Sequence, residues 1–506
     1  MDMNNIPILS VLTFLPLLGA LIISALPGER KELIEKVALG VSLLVFIISL
    51  PLFFLYNGAS GAIQFAEDYP WIPDFGIGYR MGVDGIAMLL ILLTTFISPI
   101  LLLSSWGHIL TRVKEFNILY LVMMTGMIGV FAATDLFLFY VFWEVTLIPL
   151  YFIVGVWGGK RRIYASIKFF IYTMLGSLLM LIAIIYLLIL SGEMLGGHPT
   201  ANLWVLIERL SLPMDTQIWL FLAFALAFAI KVPLFPFHTW LPDAHVEAPT
   251  AGSIILAGVL LKMGTYGFVR FCLPLFPAAA NHFALPFMII SLIGILYGAF
   301  LAWAQNDMKK LVAYSSISHL GFVILGVFAL NSRGIAGGVL QMVNHGLSTG
   351  ALFLLVGIIY ERRHTRAIAD FGGLAKVMPV YATFFLIVTL SSIGLPGLNG
   401  FVGELLILQG TFESNWMIAV PAALGMLFGA IYMLSMYGRV FMNEVDNPEN
   451  RKLQDMNKRE VISVIPIIVL IFVIGFFPKI FIGKIEASIQ KNVLDHTSKI
   501  QRSLES

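Results

Sequence analysis

Apolar runs long enough to cross a bilayer alternate with short polar connections along almost the whole chain. A membrane-spanning helix needs roughly 20 apolar residues, and dividing the runs at charged and Pro/Gly-rich breaks predicts about fourteen spans. The first run has no convincing cleavage site and is predicted to stay as a helix. The predicted spans are 6–26, 36–56, 84–105, 117–133, 135–157, 165–190, 217–237, 248–274, 285–303, 310–330, 335–359, 378–410, 416–440 and 460–480.

Two of these spans contain helix-breaking residues. Span seven contains Lys231, Pro233 and Pro236, and span twelve contains the Gly-Leu-Pro-Gly-Leu-Asn-Gly segment 394–400. Proline removes a backbone donor and clashes with the preceding turn, so both spans are predicted to be discontinuous. Each break lies in the fourth span of a five-span block, which is typical of inverted-repeat transporters. The predicted divisions are 1–116 for the first three helices, 117–275 and 276–441 for the two repeats, and 442–506 for the last helix and tail.

Composition supports a membrane protein. The chain has 506 residues, of which 59% are hydrophobic and 12% charged, whereas soluble domains are nearer half apolar and a quarter charged. The net charge of +2 is too small to indicate a nucleic-acid partner. The single cysteine, Cys272, excludes a disulfide within the chain and a cysteine cluster for an iron–sulfur centre.

Basic residues concentrate in alternate connections. They cluster after predicted spans one, three, five, nine, eleven and thirteen, whereas residues 57–79 carry only acids. The positive-inside rule then predicts that these basic connections are cytoplasmic and that both termini lie on the outer side. The C-terminal tail breaks the bias, but a late tail has limited weight. We expect a multi-pass protein of the bacterial inner membrane.

A row of ionisable side chains lies within the apolar spans, where a charge costs ~2.5–3.5 kcal/mol. Glu144 lies about three turns into span five, and Lys231 lies beside the span-seven break. Lys262 lies midway along span eight with no acid within a turn, and Glu404 follows the span-twelve break. We interpret all four as functional. The alternatives are a structural carboxylate at Glu144 and a carboxylate that caps the second half-helix at Glu404.

Histidines add further candidates. His319 and His345 lie on spans ten and eleven, and imidazole passes protons through its two nitrogens near neutral pH. Serines close to His319 in sequence are able to hold water. An equal alternative is a buried histidine that only satisfies hydrogen bonds, and no nearby residues supply metal ligands at tight spacing. His238, Asp243 and His245 form a polar connection after span seven, interpreted as a solvated loop or, slightly less favoured, a proton entrance.

Segments that carry these residues resemble one known family. They are 142–151 (Phe-Trp-Glu-Val-Thr-Leu-Ile-Pro-Leu-Tyr), 231–233, 240–250 and 311–321. Together they resemble the antiporter-like membrane subunits of respiratory complex I, over nearly the whole chain. The Trp-Glu-x-x-Leu-Ile-Pro pattern, together with Glu404 where sibling subunits typically carry a lysine, favours one member of that group.

The resemblance implies about fourteen helices, two inverted five-helix repeats (helices 4–8 and 9–13) and a proton channel. It implies that Glu144 pairs with Lys231 and modulates it, that Lys262 links two half-channels, and that Glu404 faces the exit. No cofactor is expected in this chain, because NADH, FMN, iron–sulfur clusters and quinone belong to partner subunits. The expected partners are other membrane-arm subunits, including two sibling antiporter-like subunits, and the lipid bilayer.

The same resemblance gives His319 and His345 the role of a connecting relay. The function it implies is proton translocation by a membrane subunit of NADH:quinone oxidoreductase, driven by redox chemistry elsewhere. Two rival classes share the same charges: a multisubunit Mrp-type cation/proton antiporter and an energy-converting membrane hydrogenase. A purely structural scaffold is a further alternative. Neighbouring genes for redox subunits would favour the NADH:quinone oxidoreductase, whereas neighbouring genes for small antiporter subunits would favour the Mrp antiporter.

Overall fold

The computed structural model describes residues 7–496, which are mostly helical. The helices of the N-terminal half are α1 (Ile8–Ala25), α2 (Lys31–Leu55), α3 (Gly85–Ser105), α4 (Val113–Ala132), α5 (Leu136–Trp157), α6 (Arg162–Met194), α7 (Leu203–Arg209), α8 (Met214–Lys231), α9 (Trp240–Glu247) and α10 (Thr250–Leu275). The C-terminal half contains α11 (Pro277–His282), α12 (Ala284–Trp303), α13 (Met308–Phe328), α14 (Ser332–Arg363), α15 (Leu374–Val377), α16 (Pro379–Ser392), α17 (Asn399–Ser414), α18 (Trp416–Phe441), α19 (Lys458–Phe476) and α20 (Lys479–Ile489). Short 3-10 turns lie at Pro73–Phe75, Ile368–Asp370 and Asn450–Lys452, and a π segment follows at Gln490–Leu494.

Thirteen helices of the described range are long and apolar enough to cross a membrane. Each matches one predicted span, and the remaining predicted span is the pair α16 and α17, which have 14 and 16 residues. The prediction of a polytopic helical membrane protein is therefore confirmed. The most apolar stretches of α10 and α14 are wholly buried, so these two helices form the centre of the bundle. In α6 only 39% of the corresponding stretch is buried, so this helix faces outward.

Aspartates are the N-cap residues of three of the long helices. The carboxylate of Asp135 accepts hydrogen bonds from the backbone N–H groups of Phe137 and Leu138, so Asp135 is the N-cap of α5. Asp84 and Asp307 cap α3 and α13 in the same way. Such side chains satisfy backbone donors that have no partner within the helix, so short connections can start a new span abruptly.

Both predicted helix breaks are confirmed. Helix α8 ends at Lys231, and α9 begins at Trp240 after the segment that contains the two prolines. Helix α16 ends at Ser392, and α17 begins at Asn399. Gly394 and Gly397 between them have φ values of 73° and 92°, which favour glycine because it has no Cβ.

Helix α10 is irregular around its lysine. Two π segments, Leu256–Leu260 and Phe268–Cys272, flank the regular turns that contain Lys262. Such π segments are rare and occur often at functional sites. This irregularity is absent from the sequence prediction, which treats the span as one helix.

A β-hairpin lies in the acidic connection between α2 and α3. Strand β1 (Gln64–Ile72) pairs antiparallel with β2 (Ile77–Val83). The Glu67 carboxylate of the hairpin accepts hydrogen bonds from the backbone N–H groups of Leu9 and Ser10, which lie in the first turn of α1. One acid of this connection, Glu67, therefore anchors the hairpin to the first helix.

Candidate functional site

Lys262 lies at the centre of the bundle and contacts a histidine of another helix. Its side chain is fully buried, and its Nζ donates to Nδ1 of His345 on α14 across 2.7 Å. Nζ also donates to the backbone carbonyl of Ala257, which lies in the first π segment. Because a protonated lysine only donates, the proton of a neutral His345 ring lies on Nε2. No acid lies within a turn of Lys262 in the sequence, and its side-chain partner comes from another helix, α14.

The contact continues towards Glu404 through a second histidine. The ring centroids of His345 and His319 lie 5.9 Å apart. Nδ1 of His319 lies 2.9 Å from Oε1 of Glu404, and Gln341 donates to the same oxygen across 3.1 Å. Glu404 is buried and does not cap α17, whose first turn contains no acid. The structure thus brings Lys262, both histidines and Glu404 into one buried row.

Serines near His319 in sequence do not contact its ring. Ser315 and Ser316 donate instead to the backbone carbonyl of Val312. The hydroxyl beside Nε2 of His319 belongs to Ser392, at the end of α16, across 3.3 Å. The hydroxyls of Ser315 and Ser316 are thus directed to the preceding turn of their own helix.

A polar network lines the second helix break. Asn344 donates to the backbone carbonyl of Asn399 across 2.8 Å, and Ser391 donates to the Asn399 side chain across 2.5 Å. Ser348 lies 2.6 Å from the Ser391 hydroxyl. Sequence reasoning missed these side chains, although Asn399 in the glycine-rich break was a usable signal. They join α14 to the two helices that flank the break, α16 and α17.

Lys231 lies apart from any carboxylate. It is buried, and its Nζ lies 5.2 Å from the ring centroid of Trp143 and 5.9 Å from that of Phe169. Within residues 7–496, Glu144 and Lys231 form no ion pair at hydrogen-bond distance, although they interact electrostatically. The Oε1 atom of Glu144 is buried and has no hydrogen-bond partner among the described residues. The cation therefore rests on aromatic faces, and the implied pairing is not a direct contact.

The connection after α8 is not a solvated loop. His245 lies on α9, is fully buried, and stacks on Phe353 with ring centroids 4.4 Å apart. His238 is also buried and stacks on Phe235. Of the three candidate residues, Asp243 is partly exposed, and it binds Nζ of Lys168 across 2.7 Å. The solvated interpretation is wrong for both histidines, because the break turns α9 back into the bundle.

A buried ion pair lies outside the predicted row. Arg270 contacts Asp84 across 2.5 Å, and Asn492 of the C-terminal segment donates to the other Asp84 oxygen across 3.0 Å. Burial alone would raise the pKa of the Asp84 carboxyl, but the Arg270 charge and the hydrogen bonds outweigh it and hold the pKa below its ordinary value. Sequence reasoning missed the pair, although an arginine within span eight was visible.

Comparison with known proteins agrees with this geometry. Residues 133–428 match the family described as NADH:quinone oxidoreductase/Mrp antiporter, transmembrane. NADH-quinone oxidoreductase subunit M of Rhodobacter capsulatus is 45% identical over 492 residues, which cover 95% of each chain. NADH-ubiquinone oxidoreductase chain 4 of Arabidopsis thaliana is 43% identical, over 96% of this chain and 97% of its own.

Solved structures extend the comparison. A chain of respiratory complex I from Thermus thermophilus superposes with a TM-score of 0.87 at 32% identity, over 97% of this chain and 99% of that one. A chain of the Mrp complex from Dietzia superposes with a TM-score of 0.84 at 20% identity, over 99% of each, which shows a shared fold only.

The two broken helices and the buried charge row define an antiporter-like membrane subunit. The chain belongs to the NADH:quinone oxidoreductase/Mrp antiporter family, within its group of NADH-quinone oxidoreductase M subunits.

Proposed function

We propose that this chain translocates protons as a membrane-arm subunit of a NADH:quinone oxidoreductase. The observation that carries the proposal is the buried row that runs from Lys262 through His345 and His319 to Glu404. Groups that both accept and release protons are costly inside a membrane and are kept there for function. The row provides closely spaced sites between which a proton can move.

In this proposal, protons from the cytoplasm load Lys231 and Lys262. Those on Lys262 pass through the two histidines to Glu404 and leave on the outer side. Glu144 modulates Lys231 at a distance, since charges act strongly on one another in a poorly polarisable interior. Residues 117–275 and 276–441 act as the two inverted repeats, and their break segments flank the row.

The driving reaction lies in other chains. NADH, FMN, iron–sulfur clusters and quinone are assigned to partner subunits, and two sibling antiporter-like subunits are proposed neighbours in the membrane arm. The setting is a bacterial inner membrane with both termini outside. An Mrp-type antiporter remains the second candidate because it shares the fold, but the full-length relatives at 45% and 43% identity favour the oxidoreductase.

The test replaces each lysine in the assembled complex. Lys231→Ala and Lys262→Ala should each reduce NADH-driven acidification of inside-out vesicles by about tenfold or more, since they remove a proton-carrying group. Native gels check assembly, and Lys479→Ala is the control because Lys479 is exposed. If both variants assembled and moved the normal number of protons per NADH, the proposal would be wrong.

A further inference from the structure

A cavity of about 600 Å³ lies between the two halves of the bundle, at the end where the predicted cytoplasmic connections meet. Helices α5, α6 and α10 line it from one half, and α13 and α14 from the other. It is large enough for a cluster of water molecules. The charged and titratable side chains that line it include His108, Glu247, Lys309, Glu361 and Arg366.

Lys309 forms part of the inner wall of this cavity. It lies in the first turn of α13 and is only 5% exposed, whereas its neighbour Lys310 is exposed. Its Nζ donates to the backbone carbonyl of Ala248 across 2.6 Å. Ala248 follows α9 directly and lies three positions after His245. The ammonium group therefore sits where the cavity meets the buried end of α9.

His245 interacts electrostatically with groups on both the cavity side and the charge-row side. It does so with Lys309 and with Lys262, and also with His345. It is fully buried, and neither ring nitrogen has a hydrogen-bond partner among the described residues. Nε2 of His345 is likewise unpartnered within that range. Buried polar atoms are nearly always paired with protein or water, so these nitrogens mark a polar path through the apolar centre.

We propose that Lys309 and His245 form a proton inlet that carries protons from this cavity to Lys262 without passing through Lys231. The proposal rests on the proposed function, and it adds a second cytoplasmic route with its own residues. A proton leaves Nζ of Lys309 through water to one nitrogen of His245, and the other nitrogen releases a proton towards Lys262. No oxidant or reductant is required. The imidazole is neutral again once its second nitrogen has released a proton, and exchange of tautomers then restores the starting state, while Lys309 takes up a new proton from the cavity.

A structural role for Lys309 makes a different prediction. If the side chain only ties α13 to the Ala248 carbonyl, arginine replaces it, because guanidinium also donates and stays charged. Arginine does not release its proton in proteins, so it cannot act as a relay. Comparison of Lys309→Arg with Lys309→Gln therefore separates a relay from a tether.

The experiment uses the assembled complex in inside-out vesicles, whose cytoplasmic face points outward. Both Lys309 variants and His245→Gln should reduce the initial rate of NADH-driven proton pumping about tenfold or more. Lys310→Gln is the matched control and should pump normally. Normal pumping in Lys309→Arg or in His245→Gln overturns the relay.

The proposed function is tested in the same preparations. Loss of pumping in Lys231→Ala and Lys262→Ala together with normal pumping in the Lys309 variants rejects the inlet alone. Normal pumping in all of these variants rejects the proposed function.

Access to the cavity is measured independently of pumping. Thr250 lines the cavity, and Thr250→Cys should react with a membrane-impermeant maleimide from the cytoplasmic face. The parent chain is the control, because its Cys272 is buried. An unreactive Cys at this position overturns the inlet, even where the Lys309 variants fail to assemble.

Discussion

Nζ of Lys262 donates to Nδ1 of His345, 83 positions further along the chain, across 2.7 Å. Within residues 7–496 no carboxylate forms an ion pair with either side chain. The central contact of the bundle therefore joins two nitrogen groups that both bind and release protons. Its neighbours on the path are His319 and then Glu404, where the first carboxylate of this row lies.

We expect Lys262 and His345 to act as one unit. Lys262→Leu and His345→Leu should each reduce proton pumping about tenfold or more, and the double variant should be no worse than either single one, because the path is already cut. Pumping in inside-out vesicles measures this cycle, with His282→Leu as an exposed control. Fully additive losses would show that the two residues act separately.

The charge of Glu404 is predicted to be essential for its contact with His319. Glu404→Gln keeps the size and one carbonyl oxygen, so Gln341 retains an acceptor, but it removes the negative charge that stabilises a protonated imidazole. We expect proton pumping to fall about tenfold or more, while assembly stays normal. Glu413→Gln on the same helix is the control, since Glu413 is exposed and pairs with Arg333 at the surface. Equal pumping by the two variants contradicts the prediction.

Gly394 is predicted to position Glu404 through the second break. Its φ of 73° disfavours a side chain, and an added Cβ would lie 3.2 Å from Oε2 of Glu404. Gly394→Ala should therefore lower the free energy of unfolding by about 1–2 kcal/mol and reduce pumping as well. Thermal unfolding of the purified complex and vesicle pumping measure the two effects. Gly438→Ala, where a Cβ meets nothing within 4 Å, should change neither.

The Asp84–Arg270 pair is predicted to stabilise the fold at neutral pH. Asp84→Asn keeps an N-cap side chain for α3 but leaves the buried Arg270 charge without its carboxylate partner, which costs about 3–5 kcal/mol. The expected result is a lower unfolding temperature of this subunit in the detergent-purified complex. Asp74→Asn, at an exposed position of the hairpin connection, is the control. An unchanged unfolding temperature would show that the pair adds no stability.

The same pair sets the sign of a pH effect. Because the folded-state pKa of Asp84 lies below its ordinary value, its contribution to stability is present above the unfolded pKa of about 3.9 and is lost as pH falls through the lower folded value. The native complex should therefore lose more stability on acidification than Asp84→Asn does. The prediction would be contradicted if the native complex and Asp84→Asn lost the same amount of stability on going to acidic pH.

Several local features could be predicted from the sequence. The spans follow from the length of apolar runs, and the break after Lys231 follows from two prolines close together. Asp135 begins α5 as its position predicts. The environment of the polar connection after span seven was harder to predict, because a short polar segment has the same sequence pattern whether it lies in water or inside a helix bundle. The burial of His245 depends on how the break directs α9.

The membrane-crossing segments, the two helix breaks and the charges that the bilayer must accommodate could all be predicted from the sequence, because they depend on local composition and on the cost of a charge in lipid. The partners of those charges could not be predicted in this way and became known from the folded chain. It joined Lys262 to His345 and His319 to Glu404, and it placed Lys231 against aromatic rings rather than a carboxylate. Those contacts depend on how helices some 80 positions apart pack, and no local pattern specifies that.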